Sequence, residues 1–452
     1  MNTSPSSPSG GLEADALCAS TPFAPWAWTR RPLLVLLVRL LRRVRCGAIA
    51  VELPSGERVE GRGAADGPHA AISLRRWRPL ARMLLRGDIG LAESYRDGDW
   101  SSPDLAALLE FGIRNEAGWG RVFEASLPAK WFGRVVHRMR ANTRRGSLQN
   151  ISFHYDMGNA FYAQWLDPDM IYSSALYTTG DETLEHAQAA KMARIAELLA
   201  PGPDANVLEI GCGWGALALA LASRHGARVT GLTLSTEQLA HARKRVDEAG
   251  LSPRVDLRLQ DYRDVEGRYD RIVSIEMLEA VGERYWPVYF DTLRKRLAPG
   301  GVAVVQVITM ADAHFDHYRR SPDFIQRFIF PGGMLPSVGA LDAEAARAGF
   351  TLERAESFGA SYAATLAEWR HRFLAAWPAI EPLGFDASFK RLWEYYLCYC
   401  EAGFLSGRVD VGLFMLKHAP DNSAAKSAEP GDPICHDAPL DKYKDDVRAG
   451  TD

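Results

Sequence analysis

Three glycines in the stretch VLEIGCGWGALALALA, residues 207–222, mark a place suited to binding a ligand. The apolar residues before them predict a buried strand, and the alanine- and leucine-rich run after them predicts a helix. Gly211, Gly213 and Gly215 allow unusual backbone angles and let a ligand approach the main chain closely. The helix start adds unpaired backbone N–H groups. The pattern predicts a ligand site, or, more plainly, a turn that only lets the helix pack on the strand.

Two ligands fit such a turn: a dinucleotide pyrophosphate and S-adenosylmethionine (SAM). Gly211, Gly213 and Ala216 match the dinucleotide fingerprint G-x-G-x-x-G/A. That fingerprint also requires an acid about 20 residues later to bind the ribose. The second predicted strand, ARVTGLTLS, ends instead in neutral residues. The turn alone therefore does not choose between the two ligands.

The size and composition of the chain are those of an ordinary globular protein. Its 452 residues are enough for about two to three domains of ~150 residues each. A net charge of −3 gives no indication of a nucleic-acid partner. Six cysteines without a C-x-x-C pair or a Cys/His zinc spacing predict neither a disulfide framework nor a metal site. Without a secretory signal or a bilayer-spanning apolar run, we expect a cytoplasmic protein.

The segment RRPLLVLLVRLLRRVRC, residues 30–46, predicts a basic amphipathic helix. It carries six arginines and no acid beside a leucine-rich face. Such a helix can lie in the membrane interface with its arginines near anionic head groups. Alternatively, it packs its leucines on the core of its own domain.

Changes in composition divide the chain into five segments. In the fourth, strand-like runs near residues 207, 227, 255, 271 and 302 alternate with helical stretches. This alternation predicts an α/β, doubly wound sheet of parallel strands with helices on both faces. The five predicted segments are a disordered tail at 1–29, a small α+β N-terminal domain with the basic helix at 30–130, a linker at 131–150, the α/β domain at 151–420 and a disordered acidic tail at 421–452.

Seven peptides, in this order along residues 151–418, resemble those of the cyclopropane fatty acid synthases, a family that includes the mycolic acid methyltransferases. They are SFHYDMGNAFYAQWLDPDMIYSSALY, GCGWG, GLTLSTEQ, SIEMLEAVG, FIFPGG, SFGASYAATLAEW and YYLCYCEAGF. The family also carries GLTLS at its second strand, so the missing acid no longer argues against SAM. The resemblance implies a Rossmann-like class I SAM methyltransferase. It would add a carbon to the double bond of unsaturated acyl chains in phospholipids and form cyclopropane fatty acids.

The resemblance also implies which residues bind SAM. The glycine turn brackets the methionine part, the second strand and the next helix lie at the ribose and adenine, and a tyrosine and a serine close over the cofactor. For each residue the plainer interpretation is a turn or core position. The implied set is Tyr172, Ser173, Glu209, Gly211, Gly213, Gly215, Thr233, Leu234, Ser235, Gln238, Asp261 and Tyr262.

The implied reaction makes a carbocation in an apolar acyl chain, which aromatic faces and a carboxylate can stabilise. The site must also exclude water. Aromatic residues that follow the SAM-binding strands either line an acyl tunnel or form core. They are Phe324, Phe328, Phe330, Tyr362, Trp369, Tyr395, Tyr396, Tyr399 and Phe404.

A base must then remove a proton, and in the family this base resembles a bound bicarbonate. The matching positions here are Glu279, Tyr362, Ser174, Gln306 and the backbone of Ile308. Gln306 replaces the usual His and Ser174 the usual Cys, so hydrogen-bond donors remain but the titratable ring is lost. Weaker bicarbonate binding would let the proton leave a neighbouring chain carbon. The product would then be a methylene or methyl branch.

Two further residues, and a second role for Glu279, complete the predicted site. Cys400 matches a position described in some family members as an active-site cysteine, although a cysteine in an aromatic run is otherwise an inert core residue. Glu276, about one helical turn before Glu279, is expected to pair with a base. Glu279 is expected to be the carboxylate that offsets positive charge.

Other functions remain open at this stage. One is an acyl methylase that makes a methylene or methyl branch by the same chemistry. A second is a lipid-binding protein that kept the fold and lost catalysis, and a third is an NAD-dependent oxidoreductase. The expected partners are phospholipid acyl chains at the inner face of the membrane, and the chain could form a homodimer.

Overall fold

The computed structural model describes residues 31–120, 157–321 and 323–420, which fold around two β-sheets. Both sheets belong to one compact unit that ends at His418. The predicted tails at 1–29 and 421–452 and the predicted linker at 131–150 lie outside the described residues. The bounds of the five segments therefore remain predictions.

The first sheet has four strands in the order β2-β1-β3-β4. Strand β1 pairs antiparallel with β2 and parallel with β3. This mixture of strands and helices fits the small α+β region predicted from the sequence. Its elements are α1 Arg31–Leu41, β1 Cys46–Glu52, β2 Arg58–Arg62, β3 Ala65–Leu74, α2 Arg78–Arg86, α3 Asp88–Arg96, β4 Trp100–Ser101 and α4 Leu105–Trp119.

Helix α1 is the basic helix predicted from the leucine and arginine pattern. Leu37, Leu40 and Leu41 are buried, whereas Arg39 and Arg42 are exposed. The leucine face therefore packs on the core, which was one of the two alternatives. The arginines stay at the surface.

The second sheet has seven strands in the order β10-β11-β9-β8-β5-β6-β7. Strands β5 to β9 run parallel, and β11 is antiparallel to both of its neighbours. The predicted parallel sheet is thus confirmed. The elements of this region are α5 Asn159–Tyr162, α6 Leu184–Leu199, β5 Asn206–Ile210, α7 Ala216–His225, β6 Arg228–Thr233, α8 Thr236–Glu248, β7 Val255–Leu259, β8 Tyr269–Ile275, α9 Trp286–Arg296, β9 Leu297–Met310, α10 Asp312–Tyr318, α11 Phe324–Phe328, α12 Val338–Arg347, β10 Phe350–Ser357, α13 Gly359–Ala375, α14 Trp377–Ile380, α15 Ala387–Leu405 and β11 Val409–His418.

The strand order reverses at β5, which lies between β6 and β8. In open α/β sheets, ligands bind outside the carboxyl ends of the strands at such a reversal. The glycine turn follows β5 directly and therefore lies at the expected place. Within the described residues, no helix is both long enough and apolar enough to cross a bilayer.

Helix α15 joins the two sheet regions. The Tyr95 hydroxyl of α3 donates to Glu394 at 2.9 Å, and Arg391 Nε donates to the carbonyl of Arg96 at 2.8 Å. The rings of Tyr95 and Tyr395 lie 5.7 Å apart. The N-terminal helices are thereby held against the helix that carries several of the predicted tunnel aromatics.

Candidate active site

The glycine turn is open on the side where a ligand would lie. Gly213 has φ +52°, and a Cβ built there meets no atom of the described residues within 4 Å. At Gly215, by contrast, a Cβ would lie 3.0 Å from the Cβ of Ala242 in α8. Gly213 thus leaves space for a ligand, whereas Gly215 lets helices α7 and α8 pack closely.

A cavity of about 1180 Å³ begins at this turn and continues between the two sheets. It exceeds the ~300–1,000 Å³ of ordinary small-molecule pockets. Most of the predicted SAM residues line it: Tyr172, Ser173, Glu209, Gly211, Gly213, Thr233, Leu234, Gln238 and Tyr262. Gly215, Ser235 and Asp261 are not among the described residues that line it.

Ser235 and Asp261 have structural partners. The Ser235 side chain caps α8 by accepting from the backbone N–H of Gln238 at 3.2 Å. Asp261 pairs with the guanidinium of Arg263 at 2.5 Å. For these two residues the contacts favour the plainer interpretation of a turn or cap. A role for Asp261 beside the adenine remains a prediction.

Glu209, at the end of β5, offers an unsatisfied carboxylate oxygen to the cavity. The side chain is buried, and one oxygen has no hydrogen-bond partner among the described residues. Burial raises the pKa of this carboxyl to about 8. An ammonium group beside it would satisfy the oxygen and restore the charge. The methionine part of SAM carries such a group, so the turn and Glu209 together fit SAM.

Lys191 of α6 is a site residue that the sequence analysis missed. It is buried, lines the cavity and donates from Nζ to the Ser173 hydroxyl at 2.6 Å. Burial lowers its pKa to about 8. Ala187, Lys191 and Ile195 are spaced by four residues on the buried face of one helix. A lysine at such an apolar position was the available signal.

The aromatic residues divide into lining and core. Phe330, Tyr362, Tyr395, Tyr396, Tyr399 and Phe404 line the cavity, and Phe324, Phe328 and Trp369 do not belong to the described lining. The ring of Tyr362 stacks on Phe404 with centroids 4.5 Å apart. Cys400 also faces the cavity, but burial raises the pKa of its thiol far above the ordinary value. A protonated thiol is a poor nucleophile, so we assign Cys400 to the wall.

Glu276 gathers three of the groups that were predicted to hold bicarbonate. Its Oε1 accepts from the Ser174 backbone N–H at 2.9 Å and from Gln306 Nε2 at 2.7 Å. Its Oε2 accepts from the Tyr362 hydroxyl at 2.6 Å. All three donors are neutral, and the buried Lys191 acts on Glu276 through its charge, so the expectation that Glu276 pairs with a base stays a prediction. Glu276 also lies just beyond β8 with φ +49°, not in a helix.

Glu279 has a different environment. Its Oε1 accepts from the Ile308 backbone N–H at 2.5 Å, and its other oxygen has no partner within the described part of the chain. Burial, and then the charge of Glu276, raise its pKa to about 8. Burial also raises the pKa of Glu276, but its three donors and nearby Lys191 oppose that rise. Of the two carboxylates, Glu276 is therefore the one held by three hydrogen-bond donors, whereas Glu279 is held by the Ile308 N–H.

Comparison with known proteins points to one family. The family model described as mycolic acid cyclopropane synthetase matches residues 142–414. The tuberculostearic acid methyltransferase UfaA1 of Mycobacterium tuberculosis is 39% identical, over 77% of this chain and 83% of that protein. The cyclopropane-fatty-acyl-phospholipid synthase of Escherichia coli K12 is 36% identical, over 75% and 86%. The crystal structure of mycolic acid cyclopropane synthase CmaA1 with SAH and CTAB matches with 31% identity and a TM-score of 0.56, over 60% and 97%.

Proposed function

Since the chain belongs to the mycolic acid cyclopropane synthetase family, we propose that it transfers a one-carbon unit from SAM to the double bond of an unsaturated acyl chain in a phospholipid. The observation that carries this proposal is the cavity. It joins the open glycine turn at Gly213 to an aromatic chamber that contains Tyr362 and Phe404. A sulfonium donor and an apolar acceptor would meet at that junction.

The predicted class I SAM methyltransferase fold is confirmed by the likeness to CmaA1. The family and the structural neighbour with bound SAH indicate SAM as the ligand of the glycine turn, which argues against a dinucleotide. The open turn, the buried Glu276 and the stacked Tyr362 and Phe404 also argue against a lipid-binding protein without catalysis. Such a protein would need the apolar chamber but not the carboxylate and its three donors.

The acyl chain would extend from the SAM turn toward the first sheet. Apolar side chains of α1, β1 and β3 continue the cavity wall beyond the aromatic residues. Burying a long alkyl chain there removes its apolar surface from water, which is the main source of affinity for such a ligand. The residues on this side are Leu37, Leu40, Leu41, Ile49, Val51, Ile72 and Leu74.

The site would stabilise the carbocation in three ways. The cavity wall excludes water, the faces of Tyr362 and Phe404 present π-electrons, and Glu276 supplies a buried negative charge. SAM supplies the electrophilic methyl group when it is bound. Every one of these contributions acts more strongly on the charged transition state than on the neutral alkene, which is the requirement for catalysis.

Membrane contact would lie at helices α1 and α2, which contact each other. Val35, Leu84 and Leu85 are exposed by 48%, 42% and 62%. Arg39, four residues after Val35 on α1, is exposed, as are three arginines that follow the helix, so this region combines apolar side chains with positive charge. This combination fits the surface of an anionic bilayer. Contact at the inner face of the membrane and a homodimer remain proposals, the latter to be measured by sedimentation velocity.

The product we propose is a cyclopropane, as in the name of the E. coli relative. A methyl or methylene branch is the second candidate. It is favoured by Gln306 at the position of the family's usual His and by the relative at 39% identity, which is named a methyltransferase. A cyclopropane forms when the added methyl group loses a proton and its C–H electron pair closes the ring, and a methyl-branched alkene forms when a neighbouring chain carbon loses the proton instead. A methylene branch needs a 1,2-hydride shift along the chain before the added methyl group loses its proton, and a saturated methyl branch needs a hydride donor in addition.

The test is to incubate the purified enzyme with unsaturated phospholipid vesicles and SAM that carries a deuterated methyl group. Gas chromatography with mass spectrometry should show a deuterium-labelled fatty acid that contains one more carbon atom than the substrate. Loss of one deuterium marks proton removal from the added methyl group, as in a cyclopropane or a methylene branch, which chromatography against standards separates. Full retention of deuterium marks a methyl-branched chain. Folded, SAM-binding enzyme that labels no acyl chain would exclude the function.

A further inference from the structure

The residues predicted to hold bicarbonate do not fit that ion in this chain. The Ser174 N–H, the Gln306 amide and the Tyr362 hydroxyl all donate to Glu276. The Ile308 N–H donates to Glu279. An anion placed among these donors would have to displace a carboxylate from each. It would also face the carboxylate of Glu276 at close range, and two like charges are strongly unfavourable in a buried site.

We propose that Glu276 replaces bicarbonate as the base of the reaction. This inference rests on the proposed function and names the group that completes it. The carboxylate carries two oxygens and one negative charge, as bicarbonate does, and it occupies the convergence point of the same donors. The chain thus holds its base covalently and needs no dissolved ion.

The position and the backbone conformation of Glu276 are typical of an active-site residue. The residue lies directly after β8, at the carboxyl edge of the parallel strands, and its side chain lines the cavity. The next residue, Met277, places its Cγ 3.3 Å from a Cβ built at Gly211, so Glu276 stands beside the SAM turn. Its φ of +49° is in the left-handed region that non-glycine residues rarely adopt. Strain of this kind persists where surrounding contacts over-determine it, and it concentrates at active sites.

The three donors position the carboxylate without neutralising it. Gln306 and Ser174 are completely buried and hold Oε1, while Tyr362 holds Oε2. Because these donors are neutral, they position the two oxygens without carrying a compensating charge, and the charge of buried Lys191 nearby favours the ionised carboxylate. The family's usual His would add a titratable cation at this point, whereas Gln306 does not. The replacement of His by Gln is therefore consistent with a carboxylate that is itself the base.

With Glu276 as the base, each electron pair and the proton of the methylation step can be accounted for. The π-electron pair of the alkene forms a bond to the methyl carbon of SAM, and the C–S bond breaks with its pair going to sulfur. The positive charge passes to the neighbouring chain carbon. A C–H bond pair then closes the ring or forms a new alkene, and its proton goes to a carboxylate oxygen of Glu276. The resulting carboxylic acid is returned to its ionised form by loss of that proton to solvent after the turnover.

The first measurement is the dependence of the wild-type enzyme on bicarbonate. Assays in buffers freed of carbon dioxide, with and without added sodium bicarbonate, should give the same rate within about twofold, because the base belongs to the chain. A rate that collapses without bicarbonate and returns when it is added would overturn the proposal. Absence of activity under both conditions would instead count against the proposed function, so the two failures are distinguishable.

The second measurement removes the carboxylate and leaves its place open. In Glu276→Gly the rate should fall by about 100-fold or more, the contribution of a positioned general base. The fold should be retained, since glycine adopts the left-handed φ of this position without strain. Added bicarbonate or acetate should then restore part of the rate by occupying the vacated space. Loss of rate without rescue by either anion, in protein that still binds SAM in calorimetry, would overturn the proposal.

The third measurement separates Glu276 from Glu279. Glu276→Gln keeps the volume and removes the charge, so kcat should fall by about 100-fold or more while SAM affinity changes little. Glu279→Gln should cost less, because Glu279 is held mainly as its neutral form. Glu401→Gln, a buried carboxylate paired with Arg370 away from the cavity, is the control and should leave the rate unchanged. A larger loss in Glu279→Gln than in Glu276→Gln would return the role to Glu279.

Discussion

Gly213 is the residue at which SAM binding can be tested most directly, because its missing side chain leaves only open cavity. In Gly213→Val the added side chain would fill the space of the methionine part, so we predict loss of detectable SAM binding in calorimetry. Gly250→Val is the matched control, since Gly250 also has a positive φ, +67°, and open space around it, but lies outside the cavity lining. The control should carry the same backbone strain of about 1–3 kcal/mol and still bind SAM. Equal SAM affinities in the two folded variants would remove the cofactor assignment.

At the scale of elements, strand β3 of the first sheet contributes part of the apolar cavity wall. Ile72 lines the cavity, whereas Ala71 next to it belongs to the other face of the strand. In Ile72→Trp the larger ring should shorten the space for the acyl chain. We predict that turnover of long unsaturated chains falls by about tenfold or more relative to short ones, the scale on which apolar pockets discriminate chain length. Gas chromatography of products from mixed-chain vesicles measures the ratio, and Ala71→Trp should leave it unchanged.

Helix α1 carries the prediction about the bilayer. Half of its leucines are buried, and the exposed arginines, with Val35, Leu84 and Leu85, would meet the membrane. Replacing four arginines by Gln should weaken binding to anionic vesicles by about 1 kcal/mol for each residue, less at high salt. The set is Arg39, Arg42, Arg43 and Arg45.

Its control removes the same charge from exposed arginines of the second sheet region. That set is Arg268, Arg284, Arg320 and Arg354. Vesicle co-sedimentation compares the two variants with the wild type. Equal weakening by both sets would mean that net charge, and not the surface of α1 and α2, determines binding.

For the molecule as a whole, buried carboxyls make stability depend on pH. Burial raises the pKa of Asp88 to about 7, of Glu209 and Glu279 to about 8, and of Asp323 to about 6. Ordinary carboxyls titrate near 4, so between about pH 5 and 8 the folded chain binds more protons than the unfolded chain. Stability therefore falls as pH rises through this window, by at most about 1.4 kcal/mol per pH unit for each group.

Other groups with shifted pKa values affect the stability of the fold outside this pH range. Lys191, with its pKa lowered to about 8, affects stability above pH 8, and Glu185, lowered to about 2, acts below about pH 4.5. We predict that the Tm without SAM declines from pH 5 to 8 and that Glu209→Gln flattens the decline. Glu266→Gln at the exposed surface should leave the slope as it is. A Tm that rises steadily from pH 5 to 8 would contradict the prediction.

Local patterns in the sequence were enough for the parallel sheet and the glycine turn, whereas the set of SAM-binding residues came from the family resemblance and stays a prediction. Apolar runs predicted the strands near residues 207, 227, 255, 271 and 302, because a strand buried on both faces must be apolar along its length. The glycines predicted an open turn because few other residues tolerate its backbone angles. These inferences depend on neighbours in the chain, which a sequence displays.

The roles within the site depend on groups that are distant in the chain, and the sequence did not display them. Three groups from separate parts of the chain donate hydrogen bonds to Glu276. They belong to Ser174, Gln306 and Tyr362, which are 102, 30 and 86 positions away from it in the sequence. Glu276 and Glu279 are three residues apart and chemically identical in sequence, yet the left-handed turn at Glu276 directs only its carboxylate to these donors. Burial raises the pKa of both carboxyls, and at Glu276 three donors and the charge of Lys191 oppose that rise. Which carboxylate is the base is therefore a property of tertiary packing, because pKa and hydrogen-bond partners arise only when the chain is folded.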